Sequence, residues 1–293
     1  SPLGNPTIRL AALVLFAAAL RLAFALSPKA DAPLPDALQY HAIACNLLQG
    51  KGFLDPLGRL ASRPPGYPVF LAATYGVFGE HPCAARAVQA VIGAATCLLV
   101  LVLGRMAFDR PTGELAAWIA AAYPFLIVYT GFLLSETLFV LMLVATIVCL
   151  RPAWRACVDP QAGPAAVPWL ASLAAGLGLG LAIQVRSSLL LFPAFLLPFW
   201  LVASRRRLMA ALLWALVAAL ALAVQAPWVV RNHRVFGRFI PTTLLVGESL
   251  LEGCGPGADG GPRIDRMARE RDPRIDALSE FDRNEYFRNE ALS

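Results

Sequence analysis

Charge is scarce in this chain. Asp, Glu, Lys and Arg make up 15% of 293 residues, while hydrophobic types make up 58%. Soluble domains are roughly a quarter charged, so a mean hydropathy of +0.62 excludes an ordinary soluble globule and implies an integral membrane protein. Familiar catalytic signatures are missing too. There is no Gly-Lys-Ser/Thr nucleotide loop, although Gly253 to Gly261 is glycine-rich, and no Gly-x-Ser-x-Gly or His-Glu-x-x-His. The net charge of +6 does not point to nucleic acid. Its arginines fall in short clusters between apolar runs, with no basic face carrying interleaved aromatics, so a nucleic-acid partner is excluded. No internal repeat or low-complexity tract occurs.

The six cysteines (45, 83, 97, 149, 157 and 254) form no Cys-x-x-Cys pair. Cys97 and Cys149 lie in apolar runs and are read as small core residues. Cys45, Cys83 and Cys254 are expected on the outer side, where one disulfide is allowed and no pairing is assigned. The first apolar segment is too long for a signal-peptide core and has no convincing cleavage site, so it is read as a retained span.

What the sequence does have is long apolar runs. A span needs roughly 20 mostly apolar residues, and seven candidates fall near 8–27, 85–104, 114–129, 132–150, 168–185, 188–203 and 208–229. The third and fourth are separated only by the turn 129–131. The expected fold is all-α: a polytopic membrane protein of about seven transmembrane helices, with interfacial helices in a large first outer loop. Residues 1–229 form the transmembrane module, with its outer loop at 28–84, and 230–293 an extramembrane outer segment that is cut short. The chain also opens on Ser rather than Met, as a trimmed piece would. Within 262–293, eight acids against seven arginines suggest a solvated helix or a disordered end.

Arginines in short loops give the orientation. With the N-terminus cytoplasmic, Arg105 and Arg110, Arg151 and Arg155, and Arg205 to Arg207 all lie inside, as the positive-inside rule requires. The polar residues of interest then gather on the outer face. In the first outer loop, Asp36 to Gln49 has helical apolar spacing ended by Gly50 and Gly52, and a second short helix is expected over Tyr67 to Phe78 after Pro64-Pro65.

Asp36 is the candidate catalytic residue, a general base near the membrane surface that shares a helix face with Tyr40. An Asp at a helix start also serves commonly as an N-cap. Asp31 could join Asp36 in holding a divalent cation; two Asp alone specify no metal, and no cofactor is required. Arg63, before Pro64-Pro65, offers a planar fork for phosphate oxygens, and Tyr67 follows it. Glu136 opens an apolar span where an ionisable group is costly, and Arg186 at another span end is its candidate partner. Arg21, inside the first span, either snorkels outward or points into the site. Arg231, with His233, Arg234 and Arg238, makes a basic outer rim suited to a lipid phosphate. His41 and His233 are read as bystanders or lining. The site depends on Asp36, Arg63, Glu136 and Arg231 converging.

These residues resemble those of the GT-C glycosyltransferases, in the branch of protein O-mannosyltransferases and lipid A aminoarabinose transferases (glycosyltransferase family 39-like). The matching stretches are Asp36-Ala37-Leu38-Gln39-Tyr40, Gly50-Lys51-Gly52-Phe53, Arg63-Pro64-Pro65-Gly66-Tyr67-Pro68 and Leu134-Ser135-Glu136. Pro227-Trp228 with Arg231-Asn232 follows, running into Gly253 to Gly257, so the likeness covers about 8–262. It implies many spans around an outer or periplasmic cavity in a bacterial inner membrane. It also implies a sugar donor carried on a polyprenyl phosphate, an acceptor hydroxyl on a lipid, glycan or protein, and inversion at the anomeric carbon. The family's loop acid maps to Asp36 and its basic residue before Pro-Pro to Arg63; the neighbouring acid of that pattern is Ala37 here. Tyr40, Arg63, Tyr67, Glu136, Arg186 and Arg231 become the substrate-binding set. The alternative from another class is a transporter or flippase-like carrier of polyprenyl-linked or other anionic lipids.

Overall fold

The computed structural model describes residues 5–159, 166–255, 258, 275 and 277–293, and no strand occurs among them. The helices are α1 (Pro6–Ala25), α2 (Pro35–Leu48), α3 (Gly66–Phe78), α4 (Pro82–Ala107), α5 (Arg110–Ala122), α6 (Pro124–Gly131), α7 (Glu136–Val158), α8 (Ala166–Val185), α9 (Phe192–Ala203), α10 (Arg207–Phe236), α11 (Val246–Cys254) and α12 (Glu280–Leu292). Five of them (α1, α4, α7, α8 and α10) are long and apolar enough to cross a bilayer. Much of their apolar surface faces outward, including Leu15, Val91, Leu170 and Leu222. That pattern suits lipid and would be a liability in water. The protein is a multi-pass integral membrane protein.

The expected seven spans resolve differently. Helices α5 and α6 form one broken unit bent by 48°. That break falls at Tyr123, because Pro124 forces the preceding residue into extended backbone. The separation expected at 129–131 lies just beyond it, between the end of α6 at Gly131 and the start of α7 at Glu136. The sixth expected span is a helix of only 12 residues, α9, roughly 18 Å long and short of a hydrocarbon core. Even so, the segment containing it links the two ends of the bundle. Arg186 pairs with Glu136 at the start of α7, and the Arg205 and Arg206 amides donate to the Cys157 carbonyl at its end.

Arg21 overturns both of its expected roles. It neither snorkels nor reaches a cavity; it is fully buried. Pro124 has no N–H to give the Ala120 carbonyl, and the bend strands that of Ala121 as well. The Arg21 guanidinium donates to both, each at 3.0 Å, and so caps the broken helix.

Helices α8 and α10 pack closely because Gly176 and Gly180 face α10. A Cβ on Gly180 would lie 2.6 Å from the Val224 Cβ. Among the described residues, the extramembrane segment carries helices that its composition does not announce. Helix α10 runs seven residues past 229 to Phe236, and α11 follows within the extramembrane segment. Helix α12 is docked rather than solvated, with Phe287 buried against Leu251 and Ile275. Most of the expected Gly253 to Gly261 run lies outside the described residues. All six cysteines are free thiols.

Candidate active site

Helix α2 starts with Pro35, and its N-cap position is Leu34. Asp36 is therefore not spent as a cap. Its carboxylate is paired with the Arg63 guanidinium. Arg63 also donates to the Gln39 Oε1 at 2.9 Å and lies 5.3 Å from the Tyr40 ring centroid. The Pro64-Pro65 turn that carries Arg63 abuts the end of α8. A Cβ on Gly66 would lie 2.7 Å from the Gln184 backbone, so only glycine lets α3 begin there.

The second charged pair comes from the other side. Arg186, just beyond α8, donates to the Glu136 Oε1 at 2.6 Å. The other Glu136 oxygen, Oε2, is buried without a hydrogen-bond partner. Asp36, Tyr40, Arg63, Glu136 and Arg186 all line one cavity of about 420 Å3, roofed by Thr243, Leu245 and the first turns of α11. A neighbouring cavity of about 630 Å3 shares Asp36, Arg63 and Arg186 and extends to Arg59, Glu248 and Arg283. On the far side of Glu136 lies an apolar cavity of about 150 Å3, lined by Phe125, Leu126, Tyr129 and Val140. Burial pushes the Tyr40 hydroxyl above the ordinary tyrosine range, and the Arg63 charge opposes that shift.

Two expected members do not reach this cavity. Tyr67 is fully buried behind Tyr40, with ring centroids 4.8 Å apart, and its hydroxyl donates to Gln89 Oε1. The Gln89 amide in turn donates to the carbonyls of Thr130 and Phe132, at 3.0 and 2.7 Å. Tyr67 thus anchors the segment leading to Glu136 and lines neither cavity. Arg231 fails the convergence condition. It faces the protein, donating to the Leu60 carbonyl at 2.6 Å and lying 4.9 Å from the Trp228 ring centroid. It supports the loop before Arg63 from behind. Asp31 is paired with Arg86 at 2.6 Å and lines neither cavity, so nothing joins it to Asp36 as a cation site.

Sequence reasoning missed Gln89 and Glu280. Gln89 had a readable signal, an amide in the middle of an apolar run. Glu280 had none. Its two carboxylate oxygens accept from the Leu60 and Ala61 amides at 2.7 and 3.0 Å, holding the same loop from the α12 side.

No curated protein matches the chain. Among solved structures, the archaeal oligosaccharyltransferase AglB from Archaeoglobus fulgidus, in complex with an inhibitory peptide and a dolichol-phosphate, matches with a TM-score of 0.59 at 16% identity. The match covers 75% of this chain and 29% of that one, so this chain spans under a third of the AglB length. A likeness this remote establishes a shared GT-C fold. The family described as dolichyl-phosphate-mannose-protein mannosyltransferase matches residues 62–230, a stretch that holds Arg63, Glu136 and Arg186 but not Asp36. That match covers more than half of the sequence, and the chain belongs to the dolichyl-phosphate-mannose-protein mannosyltransferase family.

Proposed function

We propose that the protein is a membrane glycosyltransferase that moves a sugar from a polyprenyl-phosphate-linked donor to an acceptor hydroxyl, with inversion. The observation that carries this reading is the pairing of two cavity arginines with two cavity carboxylates, Arg63 with Asp36 and Arg186 with Glu136. The apolar cavity that shares Glu136 gives a prenyl chain a place beside them.

The chemistry follows from that layout. A donor phosphate competes for Arg63 and Arg186, whose guanidinium groups match its oxygens. As the bond between sugar and phosphate lengthens, both cations stabilise the charge that develops on the leaving phosphate. Arg63 turns toward the phosphate and releases the Asp36 carboxylate to take the proton of the attacking hydroxyl. A single displacement inverts the anomeric carbon. Tyr40 lines the wall between the two pairs and positions the sugar. The acceptor is a lipid, glycan or protein hydroxyl. The positive-inside pattern supports a cavity on the outer, periplasmic face of a cell membrane, with the N-terminus in the cytoplasm.

The test is transfer from a radiolabelled polyprenyl-phosphate sugar in membranes carrying the protein. Asp36→Asn is expected to lower turnover by about 10²–10⁴-fold while changing stability in detergent by no more than about 1 kcal/mol, the worth of its pair with Arg63. Undiminished transfer by Asp36→Asn would remove Asp36 as the base. Donor binding without transfer to any acceptor would favour the lipid-carrier reading instead.

A further inference from the structure

A third polar cluster lies on another face of α2, apart from the cavity, and owes nothing to the proposed transfer. His41 and Cys45 stand one helical turn apart, and Glu80 approaches them from the turn after α3. One ligand atom from each lies within 4.8 Å of the other two. The Cys45 Sγ is 3.7 Å from the His41 Nε2. A tetrahedral zinc, with Zn–N of about 2.0–2.1 Å and Zn–S of about 2.3 Å, would separate these donors by about 3.6 Å. The helix therefore already holds the two at the edge length of a coordination tetrahedron.

One ring nitrogen already has its partner. The His41 Nδ1 and the Tyr75 hydroxyl are 2.9 Å apart, and the two rings meet edge to face. When Nδ1–H donates to that hydroxyl, the Nε2 lone pair is left free; Sγ lies almost equally far from Nδ1 and Nε2, 3.9 and 3.7 Å, so a change of the Cys45 rotamer brings the sulfur round to the Nε2 side. An outer-shell partner on the far ring nitrogen is the usual companion of a metal-bound histidine. Cys45 is buried, His41 half-buried and Glu80 exposed, so the cluster opens to solvent at the carboxylate.

We propose that His41, Cys45 and Glu80 form a binding site for a divalent transition metal, zinc by preference, that clips α2 to the end of α3. Thiolate, imidazole and carboxylate together suit zinc rather than magnesium or calcium, which take oxygen ligands. Water completes the fourth position, and the thiol proton is released on binding. Because Asp36 and Tyr40 ride on the same helix, the clip would also fix their height above the bilayer.

The experiment uses cobalt(II) as a spectroscopic probe on the purified protein in detergent, with zinc as competitor. The expected result is one equivalent of cobalt with a thiolate-to-cobalt charge-transfer band, displaced by zinc, and a melting temperature raised by zinc and returned by chelator. Cys45→Ser is expected to abolish the band. Tyr75→Phe should weaken binding about 10-fold or more, and Cys254→Ser, an exposed thiol on α11, should change nothing. Glu80→Gln, at an exposed position, covers the case in which Cys45→Ser fails to fold; it should weaken binding at least ~10-fold. No band in the wild-type protein, a band that survives Cys45→Ser, or unchanged affinity in Glu80→Gln would overturn the site. None of these readouts depends on sugar transfer.

Discussion

Arg63 and Arg231 carry the same guanidinium and are separated by what that group faces. Arg63 points into the cavity, paired with Asp36, whose side chain is half exposed. Arg231 is turned inward onto a backbone carbonyl and two aromatic rings, Trp228 and Phe53. Charge in an apolar chain is conspicuous, so Arg63, Glu136 and Arg186 could be found from sequence. The direction in which each side chain points could not, because it depends on helix phase and on neighbours distant in the chain. The burial of Tyr67, one layer behind Tyr40, is hidden for the same reason. The two arginines should therefore separate by experiment. Arg63→Gln loses a pair open to solvent, a change of about 1 kcal/mol in stability, and is expected to cut sugar transfer at least ~10-fold. Arg231→Gln should instead cost about 1.5–3 kcal/mol, the usual worth of hydrogen bonds to a charged group. Thermal unfolding and transfer measured on both variants check this. A stable Arg231→Gln protein with lost transfer would return Arg231 to the site.

At the level of elements, apolar runs were readable because lipid demands them, whereas helix breaks depend on single residues. Pro124 was in plain view, yet the break it makes at Tyr123 is completed by Arg21, about a hundred residues earlier in the chain. The same charge that suggested snorkelling is what satisfies two stranded carbonyls in a region without water. An apolar helix would have left them exposed to hydrocarbon. Arg21→Met keeps an unbranched apolar stem and removes the donors. Two buried carbonyls left unpaired, at about 1–3 kcal/mol each, predict a loss of about 2–6 kcal/mol. Unfolding in detergent measures it, and a change below ~1 kcal/mol would mean that α5 can relax and find other donors. Gly93 supports the close fit, since a Cβ there would lie 2.8 Å from the Arg21 Nε.

Across the whole molecule, α12 packs on α11, which roofs the cavity, instead of trailing in solvent. Its composition hid this. Leu251, Ile275 and Phe287 make a small apolar patch that no periodicity announces, and Gly247 packs so close that a Cβ would collide with the Asn284 carbonyl oxygen. Glu280 is the hinge of the contact. Its carboxylate grips the 60–61 peptides while Arg231 holds the Leu60 carbonyl from below, so the loop leading to Arg63 is fixed from two sides. Burial raises the Glu280 carboxyl above the ordinary glutamate range, against the two amides and Arg59, which favour the charged form. A group whose pKa is higher when docked binds its proton more tightly in that state. Its contribution to docking is therefore full below the free glutamate pKa and is lost as pH rises through the docked one. Amide-exchange protection of 280–292, corrected for intrinsic rates, should thus increase as pH falls from about 7 toward about 5. Glu280→Gln should flatten that dependence while keeping α12 in place. Protection that instead falls on acidification would mean that the ion pairs of Glu248 with Arg59 and Arg283 govern the closure.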